Sequence, residues 1–200
     1  VVAVALLRHG HISFVSQSGN VGANMLGWTM SQGIGFSKFV GSGNEALLRA
    51  ADYIDYFGED AETELILAYL EGVDDGRSFM ETVSRTALKK PIVVLKSGRT
   101  EEGSRAAMSH TGSLAGSDDI YDAAFRQCGA IRSETSQDML DLAKSFERLP
   151  LPPGDRLGII PLGGGWGVLA TDATAMAGLK LARLDDEVIR VCDELLPPFW

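Results

Sequence analysis

Residues 64–98, ELILAYLEGVDDGRSFMETVSRTALKKPIVVLKSG, contain a strand, a helix and a second strand in succession. The runs ELILAYLEG (64–72) and PIVVLKSG (91–98) predict strands, because they are short, apolar and bounded by turn residues. Between them, GRSFMETVSRTAL (76–88) has apolar residues at the i, i+3 and i+4 spacing of a helix. This unit predicts two parallel strands joined by a crossover helix.

The same alternation extends over most of the chain. Further strands are predicted at 11–17 and 35–41, and further helices at 21–32, 45–57, 117–128 and 136–149. Repeated units of this kind predict a parallel sheet covered by helices on both faces. We therefore expect an α/β fold over residues 11–149, with a doubly wound sheet that is flavodoxin-like or Rossmann-like.

A proline-rich stretch, LPLPPGDR (149–156), interrupts this pattern and predicts a linker over 150–156. The elements predicted beyond it are a strand with a glycine turn (157–165) and two helices (166–178 and 185–197). Because about 45 residues are too few for an independent α/β domain, we expect 157–200 to be a truncated second subdomain. Residues 1–10 are expected to be a remnant of a preceding segment.

The composition indicates a folded, acidic protein. It has 200 residues, 45% of them hydrophobic, and a formal net charge of −9. This charge argues against a nucleic-acid surface, which is normally basic. The apolar opening VVAVALL is far shorter than the roughly 20 residues that span a membrane. Two isolated cysteines, Cys128 and Cys192, indicate a reducing compartment and hence a cytoplasmic protein.

Ligands of open α/β sheets bind beyond the carboxyl ends of the strands, and the stretch SQSGNVGANM (16–25) lies at such an end. Its residues Ser16, Ser18, Gly19 and Asn20 precede a helix, whose free N–H groups and dipole can hold an anion. An ordinary serine N-cap with a tight turn accounts for the same residues equally well.

A second stretch of this kind is PLGGGWGVLATD (161–172). Three consecutive glycines, Gly163, Gly164 and Gly165, permit positive φ angles and close approach of the backbone to a phosphate. A plain glycine-rich turn is the alternative. Two helix N-termini directed at one locus would suit a dianion.

The third stretch, AAMSHTGSLAGSDD (106–119), carries His110 in a predicted loop after the strand 91–98. A lone histidine is commonly structural, and no companion ligand supports a metal site. A neutral imidazole can also attack a phosphoryl group if its other nitrogen donates to a carboxylate. Glu71, at the end of the strand 64–72, is the candidate carboxylate, although an exposed strand-end acid would look the same.

Four stretches resemble, in this order, the ligase region of the nucleoside-diphosphate-forming acyl-CoA synthetases, the superfamily of succinyl-CoA synthetase and ADP-forming acetate–CoA ligase. They are ISFVSQSGNVG, YLEGVDDGRSF, KPIVVLKSGRTEEGSRAAMSHTGSLAGSDDIYDAAFRQCGAIR and GGGWGVLATD. In that family a histidine carries phosphate between an acyl-CoA site and a nucleotide site. The resemblance implies a flavodoxin-like domain in which His110 is that histidine and Glu71 orients it. It further implies that the helices after Ser18 and after Gly165 hold the phosphoryl group.

The resemblance also implies cofactors and partners. They are CoA and acyl-CoA, phosphate, and ATP or ADP with Mg²⁺, the nucleotide and metal being bound by an ATP-grasp domain outside this chain. A CoA-binding Rossmann domain, a small-molecule acyl substrate and an oligomeric state are implied too, with no nucleic acid or membrane. The alternative is a non-catalytic acyl-CoA-sensing module of a protein lysine acetyltransferase. The intact pair of His110 and Glu71 favours the enzyme.

Overall fold

The computed structural model describes residues 8–111 and 117–198, and of residues 107–111 it describes the backbone alone. The chain divides into two compact units, Val1–Pro150 and Leu151–Trp200. Each unit has its own parallel sheet.

Strands and helices alternate through the first unit. The strands are β1 (His9–Ser16), β2 (Phe36–Gly41), β3 (Leu65–Leu70), β4 (Ile92–Lys96) and β5 (Ile131–Ser133). The helices are α1 (Gly19–Ser31), α2 (Ala50–Glu59), α3 (Gly76–Ala87), α4 (Glu101–Thr111), α5 (Asp118–Cys128) and α6 (Ser136–Arg148). Every element predicted for residues 11–149 is present, and α4 and β5 are additional.

The five strands form one parallel sheet in the order β2-β1-β3-β4-β5. This is the flavodoxin-like order, so the predicted doubly wound α/β fold is confirmed. The winding direction reverses between β1 and β3, where Ser16 pairs with Tyr69. The carboxyl ends of β1 and β3 therefore flank the switch point at which ligands bind in such sheets.

Each face of the sheet has its own hydrophobic core. The face that carries Val15, Ala68 and Val94 packs against α2, α3 and α5. The opposite face, which carries Phe14 and Leu67, packs against α1 and α6. Because helices cover both faces, the central strands are apolar at consecutive positions rather than at alternating ones.

Two boundaries differ from prediction for identifiable reasons. Helix α2 begins at Ala50 rather than at residue 45, because Glu45 adopts a φ of 54° that no α-helix contains. The Glu45 carboxylate instead accepts a hydrogen bond from the N–H of Ala50 (3.0 Å). Strand β5 has only three residues, which is too few for its periodicity to be recognised.

The second unit contains a two-stranded parallel sheet and two helices. They are β6 (Arg156–Leu157), α7 (Gly164–Met176), β7 (Lys180–Leu181) and α8 (Asp186–Leu195). Of the predicted strand with a glycine turn over 157–165, the strand is shorter than expected, since β6 ends at Leu157, whereas the glycines lie at a turn, with Gly163 as the N-cap of α7. Apolar side chains in this unit, such as Ile160 and Trp166, are consequently exposed.

Candidate functional site

The turn between β1 and α1 is shaped by two serine hydroxyls. Ser18 is the N-cap of α1, and its Oγ accepts a hydrogen bond from the N–H of Val21 (3.3 Å). The buried Ser16 donates its hydroxyl to the carbonyl oxygen of Ser18 (2.7 Å). The N-cap alternative considered for this turn is therefore realised at Ser18. The hydroxyl proton of Ser16 is donated to a backbone oxygen of the same turn.

Gly19 and Asn20 open α1 and are exposed. Within the described residues no acceptor takes their N–H groups. The first turn of α1 contains no acidic residue, and a Cβ added at Gly19 would meet nothing within 4 Å. N–H donors at the positive end of a helix, when no acceptor of the protein takes them, can hold a phosphate.

Gly22 allows α1 to lie close to the sheet. A Cβ at this position would lie 2.6 Å from Cζ of Phe39 on β2 and 3.1 Å from Cβ of Ser16. Any larger residue would displace either the ring of Phe39 or the first turn of α1. Gly22 therefore helps to fix the direction of the N–H groups at Gly19 and Asn20.

Glu71 is the first residue after β3, on the other side of the switch point from Ser16. The amide of Gln17 joins the two sides: its Oε1 accepts hydrogen bonds from the N–H groups of Glu71 and Gly72 (3.1 Å to Gly72). Its Nε2 donates to the carbonyl oxygen of Gly72 (2.9 Å). The structure thus brings the predicted carboxylate residue and the predicted anion turn to one edge.

His110 lies in the last turn of α4, so the loop predicted for this position is wrong. Thr100 caps α4, its Oγ1 accepting the N–H of Gly103 (3.0 Å). Glu101 and Glu102 fill the first turn, where the helix dipole favours negative charge. The prediction was wrong because the small residues of this segment include alanines, which favour helices.

The segment that carries His110 starts and ends at one place. Arg99, which precedes α4, donates from Nε to Oδ2 of Asp118, the first residue of α5 (3.3 Å). Arg132 on β5 binds the other carboxylate oxygen of Asp118. The side chain of His110 and the small-residue stretch 112–116 lie outside the described residues.

Two arginines keep the carboxyl group of Asp118 in its ionised form. Burial alone would raise the pKa of Asp118, but the hydrogen bonds and charges of Arg132 and Arg99 outweigh it and hold the pKa below 3.8. The Arg132 side chain is only 7% exposed, and within the described residues its Nε has no hydrogen-bond partner. Asp118 at the start of α5 and Arg132 on β5 therefore form a largely buried ion pair.

Lys96, the last residue of β4, is a buried cation at the same edge of the sheet. Its Nζ donates to the carbonyl oxygen of Ser97 and lies 4.5 Å from the ring centroid of Tyr121 on α5. Burial lowers the pKa of Lys96, opposed by Asp118 and Glu71. Burying a lysine is costly, and a desolvated cation beside a cleft is therefore a candidate functional group.

Sequence reasoning missed Gln17, Lys96 and Tyr121. The available signal for Gln17 was its place between a strand end and a serine cap, and for Lys96 a charge that closes an apolar strand. Tyr121 gave no such signal, because it lies inside an amphipathic helix.

A cavity of about 540 Å³ opens at this edge, between α1 and the loops that follow β4 and β5. Val21, Met25 and Trp28 of α1 form an apolar wall, whereas Asn24 and Arg99 are polar. The cavity can accommodate an apolar group with a polar end beside the first turns of α1.

In the second unit, the predicted glycine turn coincides with the start of α7. Gly163 is the N-cap, and no side chain caps it. None of Gly163, Gly164 and Gly165 has a positive φ, so the positive φ angles that three glycines would permit are not used here. Within the described residues no acceptor takes the N–H groups of Gly164 and Gly165, and a Cβ on either would meet nothing within 4 Å.

The other two histidines, His9 and His11, lie at the start of β1, the opposite edge from Ser16. His11 Nδ1 is 3.3 Å from the carbonyl oxygen of Glu62. Among the side chains that the structure describes, those of residues 8–106 and 117–198, no cluster of three His, Cys, Asp or Glu residues could hold a metal ion. In the same ranges, no helix combines the length and apolarity needed to cross a membrane.

Residues 9–146 match a protein-family model described as the succinyl-CoA ligase like flavodoxin domain. The chain is 46% identical over 190 residues to subunit alpha of acetate–CoA ligase (ADP-forming) I from Pyrococcus furiosus, covering 95% of this chain and 41% of the relative. It is 45% identical over 195 residues to subunit alpha of ligase II from the same organism, covering 98% of this chain and 42% of the relative.

A solved structure is similar as well. The dinucleotide forming acetyl-coenzyme A synthetase 1 of Ca. Korarchaeum cryptofilum, in complex with phosphate and ADP, superposes with a TM-score of 0.90 at 42% sequence identity. The match covers 98% of this chain and 42% of that one. The chain thus spans about two fifths of the length of these proteins.

Proposed function

The chain belongs to the family of succinyl-CoA ligase like flavodoxin domains, and on this premise we propose that it is the phosphoryl-relay part of an ADP-forming acyl-CoA synthetase. The reaction interconverts acyl-CoA, ADP and phosphate with a carboxylic acid, CoA and ATP. One observation carries the proposal: the N–H groups that open α1, which no acceptor among the described residues takes, and Glu71, which follows β3, both lie at the switch point of the sheet.

The proposed chemistry has three steps. Phosphate attacks the thioester carbonyl of acyl-CoA, the C–S bond breaks, and acyl phosphate and CoA are formed. The neutral imidazole of His110 then attacks phosphorus and the carboxylate leaves, giving phosphohistidine and the free acid. ADP finally takes the phosphoryl group and becomes ATP, and the imidazole is neutral again. Each transfer moves negative charge among phosphoryl oxygens, so fixed donors aimed at those oxygens lower the barrier.

In this proposal the residues have separate tasks. The N–H groups of Gly19 and Asn20 bind phosphoryl oxygens, assisted by the dipole of α1 and by the turn that Ser16 and Ser18 shape. Glu71 accepts a hydrogen bond from the second imidazole nitrogen of His110, which fixes the tautomer and stabilises the charged phosphoimidazole.

We propose the same donor role for Gly163, Gly164 and Gly165. Support comes from within the second unit, where the first N–H groups of α7 lack an acceptor among the described residues and a Cβ added at these glycines would meet nothing within 4 Å.

The remaining functions require parts outside this chain. We propose that an ATP-grasp domain binds nucleotide with Mg²⁺ and that a Rossmann domain binds CoA, in the same polypeptide or in a partner subunit of an oligomer. The P. furiosus relatives are alpha subunits, which supports such an assembly. The acid is a small carboxylic acid, and acetate is the first to test. Two free thiols, Cys128 and Cys192, support a cytoplasmic location.

The sensor alternative has weaker support. The relatives described above carry the names of ligases and of a synthetase, and a sensor needs no nucleophile. A relay predicts covalent phosphate on one histidine, whereas a sensor predicts none.

The experiment uses the complete protein, expressed from its whole gene with any co-purifying subunit. Incubation with γ-labelled ATP and Mg²⁺ is expected to give acid-labile, base-stable protein phosphate. The label is expected to disappear in His110→Ala and to remain in His11→Ala, a matched control with an exposed histidine at the other edge of the sheet. Undiminished label in His110→Ala would overturn the proposal.

A further inference from the structure

The backbone that carries Glu71 is held by side chains from two other elements. Gln17 Oε1 accepts hydrogen bonds from the N–H groups of Glu71 and Gly72. The hydroxyl of Tyr121, on α5, accepts a hydrogen bond from the next N–H, that of Val73 (3.2 Å). Three successive backbone donors of one loop are thus satisfied by side chains remote in sequence, rather than by the loop itself.

The hydroxyl of Tyr121 is itself held in place. The ring lies over the ammonium of Lys96 and packs against Phe125, with 5.9 Å between ring centroids. Both Lys96 and Phe125 are buried. A ring fixed on two sides gives its hydroxyl a defined position, so the bond to Val73 constrains the loop.

Gln17 is constrained at both ends of its amide. It accepts two hydrogen bonds at Oε1 and donates one from Nε2 to the carbonyl oxygen of Gly72, which is buried. Its own backbone N–H is bound to the carbonyl oxygen of Tyr69 on β3 (3.1 Å). Because both the backbone and the side chain of Gln17 bind the end of β3 and the loop after it, a shift of the β1–α1 turn would also shift that loop.

We propose that Gln17 and Tyr121 are positioning residues that set where Glu71 stands relative to the phosphate-binding turn of α1. This inference rests on the proposed function, in which Glu71 orients His110. Neither residue touches the reacting atoms. Gln17 acts from the turn that opens α1, and Tyr121 acts from the helix that follows the histidine segment. Together they join the anion turn and the carboxylate into one rigid arrangement, where a misplacement of about 1 Å can slow a reaction about 100-fold.

The test compares Gln17→Met and Tyr121→Phe with matched controls in the complete protein. Methionine keeps the length of glutamine without its donor and acceptor, and phenylalanine keeps the ring against Lys96. Gln127→Met and Tyr56→Phe make the same changes at exposed positions near the C-terminal ends of α5 and α2. We expect kcat and the rate of histidine labelling to fall about 10- to 100-fold in the two test variants. The KM for acyl-CoA is expected to change less than about twofold, and the controls are expected to behave as wild type.

A double-variant cycle separates positioning from general damage. If Gln17 and Tyr121 act through Glu71, their substitutions are expected to slow Glu71→Gln protein by less than about twofold in single-turnover labelling. Equal slowing in both backgrounds would overturn the proposal, as would wild-type rates in both test variants. If Gln17→Met does not fold, Tyr121→Phe, which removes one oxygen, supports the same comparison.

The proposed function fails separately from this inference. Label that persists in His110→Ala overturns the relay itself. Label that depends on His110 but forms at the wild-type rate in Gln17→Met and Tyr121→Phe overturns only the positioning role.

Discussion

Asp118→Asn is expected to destabilise the first unit at neutral pH and to have less effect in acid. Asp118 joins Arg99, before α4, to Arg132 on β5, and its side chain is 24% exposed. Asparagine keeps the shape of the side chain but removes the charge. Among the described residues, the Arg132 guanidinium, 7% exposed, then keeps one carboxylate, that of Asp122 at 3.5 Å, and the backbone carbonyl oxygen of residue 118 at 3.4 Å.

The magnitude lies between two known limits. Exposed ion pairs contribute about 0–1 kcal/mol, and breaking a fully buried pair costs about 3–5 kcal/mol. Asp118 and Arg132 are largely but not fully buried, so we expect a loss of about 2–3 kcal/mol. For a unit of this size, each kcal/mol shifts the unfolding midpoint by about 2–4 °C. The midpoint is therefore expected to fall by about 4–12 °C.

The sign of the pH dependence follows from the lowered pKa of Asp118. Its carboxylate stabilises the fold above its unfolded pKa of 3.8, and that contribution is lost as the pH falls through the lower folded pKa. The free-energy difference between wild type and Asp118→Asn should therefore shrink below about pH 4.

Denaturant unfolding of the isolated proteins at pH 7 and at pH 3 measures this difference. Asp55→Asn is the matched control, because Asp55 pairs with Arg85 and both side chains are about half exposed. The control is expected to lose less than about 0.5 kcal/mol. A loss at Asp118 no larger than that of the control, or a loss of the same size at both pH values, would refute the reasoning.

Three further predictions concern the same edge of the sheet. Gly22→Ala is expected to cost about 1–3 kcal/mol in denaturant unfolding, because its Cβ would lie 2.6 Å from a ring carbon of Phe39; unaltered stability would contradict the close approach of α1. Ser18→Ala is expected to cost about 1 kcal/mol through loss of the N-cap, measured in the same way, and a neutral effect would count against the cap. Lys96→Met is expected to raise the unfolding free energy at pH 7 by about 1 kcal/mol, since a desolvated cation is removed. Burial lowers the pKa of Lys96 in the folded protein, so wild type should regain stability relative to this variant as the pH rises toward 10.5. A stability difference that does not change with pH would exclude desolvation of Lys96 as its cause.

The sheet and one half of the site could be predicted from local patterns. Apolar runs separated by helical spacing require parallel strands, and parallel strands place all their carboxyl ends at one edge. It follows without coordinates that Ser18, after one strand, and Glu71, after another, face the same side. The strand order, which makes β1 and β3 neighbours, lies beyond a local pattern because crossover connections do not specify it.

The contacts that fix the site depend on that order and on side-chain direction. Gln17 is 55 residues from Gly72, and Tyr121 is 48 residues from Val73, so no spacing rule relates them. Alternate residues of a strand point to the same face of the sheet. Lys96, two residues after Val94, therefore shares the face of Val94 and is buried beneath α5. Such facts emerge only when the elements are packed.

The ion pair between Arg99 and Asp118 has an evolutionary consequence. The chain leaves β4 and enters α5 at two residues in contact, so the distance that the residues between them must bridge stays the same whatever their number. The entropy of closing such an excursion grows only slowly with its length. Insertions, deletions or grafted peptides between these two residues should therefore be tolerated by the fold. The segment that carries His110 could consequently differ in length among related proteins that share this flavodoxin-like sheet.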